Sequence, residues 1–247
     1  MPARGCKRKR GANPAEPAPA EPAVMETAEP AVLEPAEPAV PEPAEPAPPR
    51  TPTPRYVCVD FETNGFSQPG APRAEWTLPW SNFPTQISVD IVEDGVVSHA
   101  YDAVISGATC LSAWARDNVR LTLPQIRAGT PFREIVRTLN ALLRDGDTIV
   151  AHNASFDLDT VLSRTAQKLR ERDGTEFPGL DRVLQAPRFC TMRCAYARGM
   201  CTGRKQPTLA LLCKHFEVEL TDAHDARADT RALAECVAEA WRRGVML

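Results

Sequence analysis

The stretch YVCVDFETNGF, residues 56–66, decides the fold. It is a short apolar run rich in β-forming residues, and it is interrupted by an Asn-Gly pair that favours a turn. Because side chains alternate along a strand, Asp60 and Glu62 project from one face and Phe61 from the other. Two carboxylates held this close repel each other, and a divalent cation between them makes the arrangement stable. The run therefore predicts a strand that ends in a candidate metal site, with two solvated acids as the alternative.

A second strand signature precedes another carboxylate. Residues 147–157 read DTIVAHNASFD, in which residues 148–151 predict a buried strand and Asp157 lies near the start of a helical pattern. Asp157 shares one helix face with four apolar residues, namely Leu158, Val161, Leu162 and Leu169. The pattern indicates an inward-facing carboxylate. A helix cap formed by Ser155 or Asp157 accounts for the same residues equally well.

A third carboxylate lies near the end of the chain. The alanine-rich segment 226–243 predicts a helix whose apolar stripe consists of Leu233, Cys236, Val237 and Ala240. Asp229 precedes Leu233 by four residues and belongs to that stripe, where an ionised carboxylate needs a cation or several hydrogen bonds. His224 lies at the approach to this helix and can reach the same centre. The alternatives are a surface histidine and a carboxylate that pairs with Arg227 or Arg231.

Composition divides the chain of 247 residues into two parts. Fifteen of its 24 prolines fall in residues 1–54, which are built mainly of Ala, Pro and Glu. Such a segment buries too little apolar surface to offset the entropy of ordering it, so we expect a disordered tail. Its Glu-Pro-Ala repeat, residues 28–49, is a spacer or a ligand for a protein partner, and the spacer is favoured. Residues 55–247 are expected to form one domain.

Charge and hydropathy exclude several classes of protein. Residues 55–247 carry 23 Lys and Arg against 24 Asp and Glu, a balance unlike that of proteins that bind nucleic acid non-specifically, so any nucleic-acid site is expected to be local. No stretch approaches the ~20 apolar residues that span a bilayer, and the N-terminus lacks a secretory signal. We therefore expect an intracellular protein without a membrane partner, with eight largely reduced cysteines. The basic cluster Lys7-Arg8-Lys9-Arg10 weakly favours the nucleus over the cytoplasm.

The chain contains three motifs in a fixed order: D-x-E at 60–62, H-N-x-x-F-D at 152–157 and H-x-x-x-x-D at 224–229. In this order and context, residues 55–245 resemble the DEDDh (DnaQ-like) 3′→5′ exonucleases. This group includes the proofreading subunit of bacterial DNA polymerase III and ribonuclease T. The resemblance implies an α/β, ribonuclease H-like fold: a mixed five-stranded sheet flanked by helices, with Asp60 and Glu62 on the central first strand. The residue patterns independently predict strands near 56–61, 86–93, 96–105, 147–151 and 188–192.

The resemblance also implies roles for the residues quoted above. Asp60 would bridge two Mg²⁺ ions, Glu62 and Asp229 would complete the first site, and Asp157 would hold the second; Mn²⁺ can replace Mg²⁺. His224 would be the general base. Contacts to the terminal nucleotide would come from a group of five residues: Thr63, Asn64, Gly65, Phe66 and Asn153.

The implied activity is metal-dependent release of nucleoside 5′-monophosphates from the 3′ end of DNA or RNA. Its partner would be single-stranded or 3′-terminal nucleic acid, in a pathway such as DNA repair. The alternative is a non-catalytic subunit of a polymerase or repair complex. The sequence leaves the choice between DNA and RNA and the oligomeric state open.

Two further patterns have competing interpretations. Trp76, Trp80 and Phe83 could stack unpaired bases or close an edge of the core, and packing is favoured. A group of cysteines with one histidine invites a zinc interpretation, but its spacing does not match usual zinc sites; the group is Cys190, Cys194, Cys201, Cys213 and His215.

Overall fold

The computed structural model describes residues 53–65, 82–197 and 206–245. The chain divides into two units, Met1–Pro48 and Pro49–Leu247, and everything described here belongs to the second. The predicted tail 1–54 lies almost wholly outside the described residues, and the predicted domain boundary stays a prediction. Phe66, Trp76, Trp80 and Cys201 also lie outside the described residues.

A mixed sheet forms the centre of the described part of the chain. Its order is β4-β3-β2-β1-β5-β6, in which β1 pairs antiparallel with β2 and parallel with β5. The strands are β1 Arg55–Thr63, β2 Pro84–Glu93, β3 Val96–Ser106, β4 Thr130–Pro131, β5 Thr148–Ala151 and β6 Arg188–Cys190. The predicted α/β architecture is confirmed, and the sequence patterns located five of these strands.

The predicted count of five strands is wrong because it lacks β4. That strand is only the pair Thr130–Pro131, which lies beside Ile105 and Ser106 of β3. Two residues cannot show an alternating pattern, and proline cannot donate a ladder hydrogen bond. Sequence patterns therefore had no signal for this edge strand.

Helices cover both faces of the sheet. The α-helices are α1 Ala113–Asn118, α2 Leu123–Arg127, α3 Phe132–Leu142, α4 Arg164–Asp173, α5 Leu180–Gln185, α6 Thr191–Ala197, α7 Leu209–Phe216 and α8 Ala226–Arg242, and a π-helix, Ser155–Ser163, leads into α4. Within the described residues, no helix is both long enough and apolar enough to cross a membrane.

The central strand β1 contributes to two separate hydrophobic cores. Val57, Val59 and Phe61 are buried in the core that contains α3 and the π-helix. Cys58, on the opposite face, is buried in the core formed with α7 and α8. Asp60 and Glu62 continue the second series, so they project toward the face that α8 covers.

A close contact fixes the loop that follows β1. The Asn64 backbone N–H donates to Phe83 O (2.9 Å), and the Ser112 backbone N–H donates to Asn64 O (2.9 Å). Gly65 has φ +119°, and a Cβ at this position would lie 2.1 Å from Ser112 Oγ. Only glycine allows this approach, which places the start of α1 beside the end of β1.

Phe83 packs inside the core. It is 4% exposed, lies 6.5 Å from the Phe132 ring between centroids, and occupies the space that a Cβ on Gly107 would enter. The packing interpretation is confirmed for this residue.

The six described cysteines are free thiols, of which Cys58, Cys213 and Cys236 are buried.

A buried ion pair anchors the other end of β1. The Arg55 side chain, 8% exposed, contacts the Asp147 carboxylate, which is 3% exposed and also accepts a hydrogen bond from the Arg144 backbone N–H (2.7 Å). Asp147 immediately precedes β5, so the pair joins the starts of two neighbouring parallel strands. Asp147 is the buried partner of Arg55, and the half-exposed Glu93 contacts the same guanidinium at 3.8 Å.

Replacing Asp147 by Asn should lower the free energy of unfolding by about 2 kcal/mol, because Arg55 would lose its buried partner and keep only the half-exposed Glu93, 3.8 Å away. Urea unfolding measures the change. The control is Asp145→Asn, whose carboxylate is fully exposed and pairs with Arg182 at the surface; it should leave stability unchanged. Equal stability of both variants would contradict a supporting role for the buried pair.

Candidate active site

The first two carboxylates of the site lie at the end of β1. Glu62 is 8% exposed, and Asp60 is partly exposed on the same face of the strand. Phe61 points the other way and is 4% exposed in the core. The strand thus holds two acids rigidly at its end while the apolar residue between them fixes its position.

Asp157 comes to the same place from the π-helix. Its side chain is 2% exposed, and its Oδ1 accepts a hydrogen bond from the Phe61 backbone N–H (3.2 Å). The helix-cap interpretation is wrong, because the N-cap residue of the π-helix is Ala154 and no side chain caps it. The carboxylate is turned toward β1 instead. A π-helix inside a helical segment often marks a functional site.

Asp229 and His224 come from the N-terminal end of α8. The His224 backbone N–H donates to Asp229 Oδ2 (3.1 Å), whereas the buried Asp229 Oδ1 has no hydrogen-bond partner. The alternative arginine pairs are wrong, since Arg227 pairs with Asp102 and Arg231 with Glu235. One buried carboxylate oxygen is therefore left available for a ligand.

These groups converge on one centre. Glu62, His224 and Asp229 each offer a ligand atom, and these atoms lie within 4.8 Å of one another. Asp60 lies close enough to Asp157, Glu62 and Asp229 for their charges to raise its pKa. The structure thus brings together all five groups that the sequence predicted for catalysis. His224 lies among the potential metal donors, whereas its predicted role was that of a base.

The electrostatics of the cluster favour a bound cation. Burial raises the pKa of Asp60 well above its ordinary range, and the charges of neighbouring carboxylates add to this effect. Burial also raises the pKa of Glu62 to about 8 and that of Asp157 to about 7, and it raises the pKa of Asp229. Repulsion from Asp229 and Asp157 contributes further at Glu62. A positive charge at the centre would oppose these shifts.

The donor set fits a divalent metal. Within the described residues, no Lys or Arg side chain forms an ion pair with Asp60, Glu62, Asp157 or Asp229. Carboxylate oxygens are the ligands that Mg²⁺ prefers, and the unpartnered Asp229 Oδ1 lies within the cluster. The residues present therefore suit a hard divalent cation.

The predicted substrate contacts lie around this centre with different exposures. Thr63 and Asn64 are buried; Thr63 Oγ1 accepts a hydrogen bond from Gly65 N–H (3.4 Å), and Asn64 Oδ1 accepts one from Phe83 N–H (2.9 Å). The described hydrogen bonds of Asn64 thus hold the loop that follows β1 in place. Asn153 is partly exposed at φ 97° and its Oδ1 accepts from Ser155. Their contacts with a nucleotide stay predictions.

Two neighbours of the site were not predicted to belong to it. Asp225 is the N-cap of α8, and its charge raises the pKa of Asp60 and Glu62. Its position before the helix was a signal for a cap. Trp114 of α1 contacts the His224 ring at 5.0 Å between centroids. No local pattern could have revealed that contact, since the two residues are far apart in sequence.

Comparison with known families agrees with this geometry. The exonuclease family RNase_T matches residues 57–237, which include every carboxylate of the cluster. The chain belongs to this exonuclease family. The family is of the DEDDh type in the ribonuclease H-like superfamily. The predicted membership is confirmed, and the described domain is an exonuclease domain.

Individual proteins are similar to this exonuclease domain in sequence or in fold. DNA polymerase III PolC-type of Bacillus subtilis (strain 168) is 28% identical over 181 residues, which is 72% of this chain and 11% of that protein. A 3′-exonuclease solved in a study of histone mRNA stem-loop recognition is 14% identical (TM-score 0.60; 79% of this chain, 84% of the other). Exonuclease X in complex with 5′ overhanging duplex DNA is 19% identical (TM-score 0.51; 77% and 94%).

Without metal, the exonuclease domain should lose stability as the pH rises. The pKa of Glu62 is about 8 and that of Asp157 about 7 in the folded state, against ordinary values near 4 in the unfolded chain. Between these values the folded state binds more protons, so the free energy of unfolding falls as pH increases from about 4 through about 8. Urea unfolding in EDTA at several pH values measures the slope, and Mg²⁺ should restore stability mainly at the alkaline end.

The variant Glu62→Gln isolates this effect. It should raise the free energy of unfolding in EDTA by on the order of 2 kcal/mol near pH 8.5 and flatten the pH dependence, because the buried group can no longer ionise. Glu219→Gln, at an exposed position, is the matched control and should change nothing. If the free energy of unfolding of Glu62→Gln in EDTA still falls with pH as steeply as before, the assignment of the pH effect to this carboxylate is contradicted.

Proposed function

We propose that this domain is a metal-dependent 3′→5′ exonuclease that hydrolyses phosphodiester bonds of DNA or RNA and releases nucleoside 5′-monophosphates. The observation that carries the proposal is the convergence of four carboxylates and His224 with a buried carboxylate oxygen left unpartnered. Family membership supports nuclease activity, and the direction of digestion and the product belong to the proposal.

Asp60, Glu62, Asp157 and Asp229 would hold two divalent ions, Mg²⁺ or Mn²⁺, with their carboxylate oxygens. When bound, such ions offset charge on the scissile phosphate, activate water and stabilise the leaving oxygen. Glu62 and Asp157 would bind in the ionised form, which their raised pKa values disfavour until a cation is present. Proton release therefore accompanies metal binding.

His224 would act as the general base. It is exposed, and a ring nitrogen lies within 4.8 Å of donor oxygens of Glu62 and Asp229. A neutral imidazole in this position can accept the proton of the attacking water. Its exposure lets the accepted proton pass to solvent. The hydrogen bond from its backbone N–H to Asp229 joins the base to the carboxylate cluster.

Both kinds of nucleic acid are candidates for the substrate. The structurally similar proteins include one described with a histone mRNA stem-loop and one with duplex DNA that has a 5′ overhang. The predicted protein partner of the tail, the role in DNA repair and the nuclear or cytoplasmic location stay predictions.

Digestion of matched DNA and RNA oligonucleotides tests the proposal. With Mg²⁺, a 3′-labelled strand should release labelled mononucleotide at once, and a 5′-labelled strand should shorten progressively; EDTA should abolish both results. Early release of the 5′ label would contradict the direction. If no strand is digested with Mg²⁺ or Mn²⁺, the alternative of a non-catalytic subunit is favoured.

Two substitutions separate the metal ligands from the base. Asp229→Asn should abolish turnover and weaken Mn²⁺ binding measured by calorimetry, because an amide cannot supply the negative charge. His224→Ala should slow hydrolysis by about 10²–10⁴-fold and leave Mn²⁺ binding largely intact. Near-normal activity of Asp229→Asn would refute the metal assignment. A large loss of Mn²⁺ affinity in His224→Ala would instead make the histidine a ligand.

A further inference from the structure

The proposed base lies in a turn that does little to fix its ring. His224 is exposed and has φ 71°, and Asp222, two residues earlier, has φ 49°. These left-handed conformations are uncommon for residues other than glycine and often occur at functional sites. The one described hydrogen bond of this residue is made by its backbone N–H, to Asp229. It fixes the main chain and leaves rotation of the imidazole free.

An aromatic contact from another element restrains that ring. The Trp114 and His224 rings lie 5.0 Å apart between centroids at an interplanar angle of 76°, which is an edge-to-face arrangement. This geometry is favoured because the positive edge of one ring meets the negative face of the other. Rotation of the imidazole about its side-chain bonds would break the contact.

Trp114 is well placed to restrain another residue because its own position is fixed. It packs against the main hydrophobic core and is partly buried. Two residues earlier, Ser112 caps α1 by accepting a hydrogen bond from the Ala115 backbone N–H (3.0 Å). The Ser112 backbone N–H also bonds to Asn64, next to the end of β1. Helix α1 is thus tied to the strand that carries Asp60 and Glu62.

We propose that Trp114 is a positioning residue that orients the His224 imidazole toward the carboxylate cluster. The inference rests on the proposed function, since it assigns Trp114 a role in proton acceptance by His224. Trp114 would act through the histidine, without touching the reacting atoms. Helix α1 therefore couples the position of the base to that of the β1 carboxylates.

A double-mutant cycle tests this role. Trp114→Leu should lower kcat by about 10 to 100-fold with little change in KM, because a misplaced base costs rate and not binding. Trp114→Phe keeps an aromatic ring and should recover most of the activity. In the His224→Ala background, Trp114→Leu should have no further effect, since the group it orients is gone. Trp241→Leu, at a tryptophan on the exposed side of α8, is the control and should leave kcat unchanged.

Imidazole NMR of the metal-free protein gives a readout that is independent of turnover. The chain has four histidines, so the ring resonances of His224 can be assigned by comparison with His224→Ala. Trp114→Leu should shift these resonances, because the ring current of the indole is removed, and Trp241→Leu should not. Thermal unfolding of each variant establishes that the fold is retained.

The outcomes are distinct. A fall in activity that persists in the His224→Ala background, or appears mainly in KM, would overturn the inference and indicate direct contact between Trp114 and the nucleic acid. Unshifted His224 resonances in Trp114→Leu would overturn it as well. If His224→Ala retains full activity, the proposed base is wrong and the inference about Trp114 is wrong with it. If His224→Ala loses activity while Trp114→Leu keeps it, only the role of Trp114 is refuted.

Discussion

Mutual repulsion among buried carboxylates is the constraint on which the site depends. Asp60, Glu62, Asp157 and Asp229 come together with Glu62 and Asp157 buried and Asp60 and Asp229 partly exposed, and within the described residues no arginine or lysine pairs with them. Burial raises the pKa of all four carboxyl groups, and repulsion raises those of Asp60 and Glu62 further. The stability of the metal-free domain is therefore coupled to the charge state of its site. A divalent cation bound among these carboxylates would offset their repulsion and stabilise their ionised forms.

The rest of the fold holds these groups against that repulsion. Strand β1 is anchored on one face by Val57, Val59 and Phe61 and on the other by the core under α8, so its carboxylates cannot move apart without disturbing a core. Asp157 is tied to β1 by the Phe61 backbone N–H. The Arg55 and Asp147 pair lies at the opposite end of the strand, where paired charges do not add to the repulsion. Destabilising and stabilising charges thus occupy different ends of the same strand.

Local sequence patterns predicted those features that depend on local periodicity. Alternation along β1 was enough to place Asp60 and Glu62 on one face, and the apolar stripes placed Asp157 and Asp229 toward the interior. Periodicity could not decide whether Asp157 caps its helix, because that depends on the π-helical geometry of Ser155–Ser163 and on a hydrogen bond to β1. The contact of Trp114 with His224 and the edge strand at Thr130 depend on tertiary packing, for which a single sequence has no signal.

The two aspartates at the start of α8, Asp225 and Asp229, have different roles because their hydrogen bonds differ. Asp225 accepts hydrogen bonds from the Arg227 and Ala228 backbone N–H groups and from the Gln86 side-chain amide (3.3 Å), so it caps the N-terminus of α8. Asp229, one turn later, receives one bond from His224 and keeps Oδ1 unpartnered. Gln86 also accepts a hydrogen bond from the Ala226 backbone N–H (3.4 Å) and so holds the helix start against β2. Asp225 is therefore committed to fixing the helix, and that fixed helix leaves the free oxygen of Asp229 in the carboxylate cluster.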